Sequence, residues 1–182
     1  ESGIALMRIG GITYDNNPLP DATLLRQVDN IRAIGAEPVI QVSRHKGAAA
    51  AAATVTYLNV THGRAVKYWC IGNEPDINWS GTETGLAAFV ATYIKEIAPA
   101  MRDVDPGLHL SGPEMAFYSS TKFQALLGGA SDIAGRDAKG RFYLNAISFH
   151  RYPFNDVFTR TGVLAEMHSG LESTVTALTS QV

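Results

Sequence analysis

An α/β fold with a parallel sheet is what this sequence predicts, on three observations. Short apolar runs alternate along the chain with helix-patterned stretches, the signature of successive βα units. The 46% apolar content of 182 residues is ample for one buried core. No apolar run approaches the roughly 18 residues needed to cross a bilayer.

Five runs read as strands: residues 4–10, 38–43, 66–72, 108–112 and 144–150, each short, apolar and flanked by polar, Gly or Pro residues. After the first, Leu24, Leu25, Val28 and Ile31 make a helical stripe. Asp21 suits its N-cap and Gly35 its C-terminal stop. After the second, alanines 48–53 read as a helix, because alanine has the highest helix propensity and Val55, Tyr57 and Leu58 add apolar surface. After the third, Leu86, Phe89, Val90, Tyr93, Ile94 and Ile97 mark a longer helix, which Pro99 is expected to kink or break. Residues 128–141, rich in Gly, Asp and Ala, should contain a loop, and residues 161–182 are helix-patterned again. No short repeat or Pro/Ser-rich linker divides the chain, so residues 1–182 are taken as a single domain.

Composition also excludes partners. With 15 basic and 17 acidic residues the net charge is -2, which gives no bulk attraction for nucleic acid or an anionic membrane. Cys70 is the single cysteine, so no intrachain disulfide can form, and its apolar neighbours fit a buried thiol. His45, His62, His109, His150 and His168 form no close metal-binding pair, so no metal is expected. There is no phosphate-binding loop, and Gly10-Gly11 lacks the rest of a dinucleotide fingerprint, so no cofactor is expected either. The sequons at Asn59 and Asn78 are too common by chance to carry weight.

In parallel α/β folds ligands bind at the carboxyl ends of the strands. Here those ends carry, in order, Arg8 with Gly10-Gly11, Gln41 with Ser43, Asn73-Glu74, Glu114, and His150 with Tyr152. Glu74 closes the apolar strand 68–72 and stands between dry interior and open loop, where a carboxylic acid can keep its proton until a leaving oxygen needs it. Asn73 offers a donor and an acceptor to a sugar hydroxyl. Each residue alone also has a plainer account. Glu74 and Arg8 could be structural ion-pair members, His150 a hydrogen-bonded structural histidine, Tyr152 packing, and Glu114 a solvated loop acid.

Taken together, the segments 6–11, 66–76, 100–113 and 148–153 resemble the second, fourth, fifth and sixth strands of the clan A glycoside hydrolases, retaining enzymes built on a TIM (β/α)₈ barrel. The Ile71-Gly72-Asn73-Glu74-Pro75-Asp76 stretch looks closest to the β-glucuronidase and heparanase-like family, with the β-xylosidase and arabinofuranosidase-like families near behind. The resemblance implies an incomplete TIM barrel of about five βα units, matching strands two to six, against about 250 residues in a typical barrel. It makes Glu74 the catalytic acid/base and Asn73, Arg8, His150 and Tyr152 substrate-site residues; Glu114 joins them as a substrate-site candidate through its own strand-end position. A retaining enzyme also needs a second carboxylate about 5 to 5.5 Å away. The clan carries that nucleophile on the seventh strand, which these residues do not match. Glu114 is the one substitute the sequence offers.

The expected partner is therefore a carbohydrate, with neither nucleic acid nor membrane, in an extracellular or periplasmic setting. An open partial barrel would expose sheet edges, so a homodimer or domain-swapped assembly completing it is also expected. The competing expectation is an inactive barrel that binds carbohydrate or self-associates, with Trp69, Trp79, Tyr152 and Phe154 as sugar-stacking surfaces.

Overall fold

The computed structural model describes residues 3–152 and 159–165. Strands β1 (Leu6–Ile9), β2 (Glu37–Val42), β3 (Tyr68–Ile71), β4 (His109–Met115) and β5 (Ala146–Phe149) form one sheet in the order β1-β2-β3-β4-β5. Every pairing is parallel. Each of the five predicted runs overlaps one strand, with β4 continuing to Met115 beyond the predicted end at residue 112.

The register explains the layering. Ile40, Trp69 and Leu110 align across β2, β3 and β4 and are all fully buried. This row packs into the main core with Leu24 and Val28 of α2 (Asp21–Ala33) and Leu86, Val90, Ile94 and Met101 of α4 (Glu83–Val104). Two-residue alternation puts Gln41, Cys70 and Ser111 on the opposite row. Arg8 lies on that same face, one step back along β1. The sheet thus sets an apolar side against the helices and a polar side beneath the strand ends.

Helix α3 (Gly47–Val55) contains the alanine run and continues as a π-helical turn, Thr56–Thr61. Two short helices escaped the sequence reading, α1 (Ile12–Asn16) and α5 (Ser120–Leu126). At five and seven residues they are too brief to display a period. The segment 128–141 holds a 3₁₀ turn at Gly129–Ser131 and otherwise loops, as expected. Of the helix pattern in 161–182, α6 (Arg160–Ala165) is described and the rest lies outside the described residues.

Two points differ from expectation. Of the kink or break expected at Pro99, the break does not occur, and α4 runs to Val104. The lost N–H costs one hydrogen bond, but Ile97, Ala98, Met101 and Arg102 are buried on either side of it, and keeping them packed outweighs that loss. Asp21 is the first helical residue of α2 rather than its side-chain cap; the Pro20 carbonyl accepts from the Thr23 and Leu24 amides, and Asp21 Oδ1 accepts from Thr54 Oγ1 at 3.4 Å instead. Gly35 does follow the helix in the left-handed region, at φ 83°.

Candidate active site

The strand ends bring the predicted residues together. Glu74 lies just past β3, only 8% exposed, and its Oε1 is 2.7 Å from His150 Nδ1. The Tyr152 hydroxyl donates to the same oxygen at 3.3 Å. His150 Nε2 in turn lies 3.2 Å from Glu114 Oε2. The two ring nitrogens thus face different carboxylates, and the imidazole occupies the space between Glu74 and Glu114.

Backbone geometry builds this arrangement. Glu74 and Glu114 adopt positive φ, 44° and 58°, a strained region for residues with a Cβ that tends to persist at functional sites. Glu114 follows the cis Gly112-Pro113 bond, inside a register irregularity between Gly112 and Met115. Such bulges turn a side chain away from its ordinary strand direction. The Glu74 amide donates to the Glu114 carbonyl at 2.7 Å, and the His150 amide to the Met115 carbonyl at 2.7 Å, so three strand ends are tied by main-chain bonds. Gly72, at φ 80°, packs against Tyr93 and Arg44 at distances where a Cβ would just fit but the backbone conformation would strain.

Arg8 rises from the polar face and joins the cluster. Its NH2 donates to Gln41 Oε1 and Asn73 Oδ1, both at 2.9 Å, and lies 3.5 Å from Glu114 Oε2. This fixes the orientation of the Asn73 amide, oxygen toward Arg8. Gln41 Oε1 also accepts from the Gly11 amide at 2.6 Å. Gly10 is needed where it stands, since a Cβ there would come within 2.4 Å of Gln41 Oε1.

The electrostatics follow from these contacts. The bond to Glu114 raises the His150 pKa; burial opposes this, and the bond to Glu74 reinforces it. For Glu114 burial works against ionisation, yet hydrogen bonds from His150 and Ser148 and the Arg8 charge outweigh it, leaving the carboxyl below its ordinary value. Burial pushes the Cys70 thiol up to about 12, with the Glu114 charge adding to the effect, so it stays protonated as the sequence reading expected of a core cysteine.

A second layer was not legible in the sequence. Asp15, in α1 and completely buried, pairs with Arg44 at 2.9 Å and accepts from the Arg44 amide at 3.0 Å. Arg44 NH1 donates to the Asn73 carbonyl, supporting the turn that carries Glu74. Asp76 accepts from the Ala116 amide at 2.8 Å and from Lys122 Nζ at 2.9 Å, joining the loops after β3 and β4. Only the position of Asp76 inside the Asn-Glu-Pro-Asp stretch hinted at this brace. Among the sugar-stacking candidates, Trp69 is fully buried and donates to the Val66 carbonyl, so it belongs to the core. Trp79 stacks on Phe89 at 5.7 Å, and Phe154 lies outside the described residues. Among the described residues no group of three or more His, Cys, Asp or Glu is arranged to hold a metal ion, and no helix is long and apolar enough to cross a membrane.

Comparison with solved structures places this fold in a known architecture. The chain superposes on AbfB, a family 51 alpha-L-arabinofuranosidase from Bifidobacterium longum, with a TM-score of 0.67 and 19% identity, over 98% of this chain and 44% of that one. The chain has the fold of a partial TIM barrel. A glucosidase from Croceicoccus marinus matches with a TM-score of 0.51 and 20% identity, over 82% of this chain and 38% of that one. At such identities the likeness is one of fold, and the partial barrel spans less than half the length of either glycoside hydrolase. No family model and no curated protein matches the sequence.

Proposed function

We propose that this partial barrel carries the acid/base side of a retaining glycoside hydrolase site acting on an oligosaccharide or polysaccharide, with Glu74 as the general acid/base. The observation that carries the reading is the placement of Glu74: nearly buried at a strand's carboxyl end, its Oε1 held by His150 and Tyr152. In the first step Glu74 gives its proton to the departing glycosidic oxygen while a carboxylate attacks the anomeric carbon; in the second, Glu74 takes a proton from the water that releases the sugar. Arg8 orients Asn73 beside the reacting sugar. Glu114 does not serve as the attacking carboxylate in this reading, because the His150 ring stands between it and Glu74; the clan resemblance assigns that role to a further strand. An extracellular or periplasmic location fits such a substrate.

The test is Glu74→Gln in the protein supplied with the strand that bears the attacking carboxylate, assayed with a natural oligosaccharide and with an aryl glycoside whose leaving group needs no proton. Turnover of the oligosaccharide should fall about 10²- to 10⁴-fold, the ordinary worth of a positioned acid, and bond cleavage in the aryl glycoside far less. Equal activity of variant and parent on the oligosaccharide removes Glu74 from the mechanism. The same placement of His150 favours a second reading, a barrel that binds carbohydrate without cleaving it. Binding by a protein that shows no turnover even when supplied with the remaining strands would select that reading.

A further inference from the structure

We propose that Phe117 and Tyr152 form a stacking platform for the apolar face of a neutral sugar ring beside Glu74. The ligand class rests on the glycosidase reading; the platform itself rests on geometry. Phe117 is 55% exposed and Tyr152 58% exposed, and their rings meet edge to face with centroids 6.2 Å apart. The Tyr152 hydroxyl sits 3.3 Å from Glu74 Oε1, so an open aromatic surface begins one hydrogen bond from the acid.

Phe117 is not a loose loop tip. The two residues before it, Met115 and Ala116, are buried, and the Ala116 amide is anchored to Asp76, which Lys122 holds in turn. The next residue, Tyr118, turns the other way and packs against Phe123 at 5.6 Å and Phe149 at 5.7 Å. The chain therefore anchors both sides of Phe117 while leaving much of its ring in solvent, forgoing burial that an apolar side chain would otherwise gain. A sugar supplies what that surface lacks: C–H groups on one face for the rings, and hydroxyls at its edge for Asn73 and the acid. Arg8 is already shared among Gln41, Asn73 and Glu114, which suits a neutral ring better than an anionic one.

Isothermal titration of the 182-residue protein with cellotetraose, xylotetraose and arabinotetraose tests this, in the Glu74→Gln background so that nothing is cleaved during the titration. For the tetraose that binds best, Phe117→Ala should raise Kd about three- to tenfold and Phe117→Trp should restore it. The melting temperature of Phe117→Ala should stay near the parent's, since more than half of the residue is in solvent. An unchanged Kd in Phe117→Ala, or no binding of any of the three sugars, overturns the platform. So does a large fall in melting temperature, which would make the ring part of the core. None of these outcomes bears on Glu74, whose role is decided by turnover.

Discussion

His150 is the residue on which most of the site's charge converges. With one ring nitrogen against Glu74 and the other against Glu114, both can donate only when the ring carries two protons. Its raised pKa means that its stabilising contribution is complete below the ordinary imidazole value of about 6.5 and is lost as pH rises through the folded value. The depressed pKa of Glu114 contributes in the opposite sense, present above its ordinary value and lost as pH falls through the folded one. The two overlap in mildly acidic solution. His150→Gln should therefore lower the melting temperature more at about pH 5.5 than at about pH 9. Melts that drop equally at both values would show that the ring is held by shape rather than charge. All six site residues named from the sequence lie in or against this cluster, because a parallel sheet sends polar strand-end residues to one mouth whatever its sequence. What their order could not reveal was that His150 would stand between the two carboxylates; that follows from the bulge and positive φ at Glu114, which depend on neighbours far along the chain.

The five strands were legible because buried parallel strands read as continuous apolar runs, and α2, α3 and α4 because their stripes or propensities persist over several turns. Helix α1 leaves no such trace, yet it brings Asp15 to Arg44 and thereby braces the turn after β3. The Arg44 side chain is only 10% exposed and that of Asp15 fully buried, so breaking the pair strands a charge away from water. Asp15→Asn should cost about 3 to 5 kcal/mol of stability in denaturant titration, with Arg44→Lys losing less because a positive charge remains to meet Asp15. A loss under 1 kcal/mol for Asp15→Asn, on the scale of ordinary surface changes, would mean that the short helix does not support the turn after β3.

At the scale of the whole molecule, β1 and β5 each have one edge with no partner strand among the described residues. Both edges border apolar clefts. The one beside β1 is about 510 Å³ and includes Met7, Ile9, Leu19 and Ile31; the one beside β5 is about 390 Å³ and includes Phe142, Leu144 and Ile147. Ile4 and Leu6 near the first and Phe142 at the second are largely exposed. In a closed barrel further strands would cover these positions, and without them the unpaired strand edges and apolar walls invite association. Sedimentation velocity on the 182-residue chain should then give a mass above 19.5 kDa that grows with concentration. A charge placed on the β1 edge, Leu6→Lys, should shift the distribution back toward the monomer, since an edge lysine blocks strand addition without disturbing the buried face. A monomer at every concentration, with or without that substitution, would show that this sheet tolerates two open edges, and the homodimer or domain-swapped assembly would have to be abandoned.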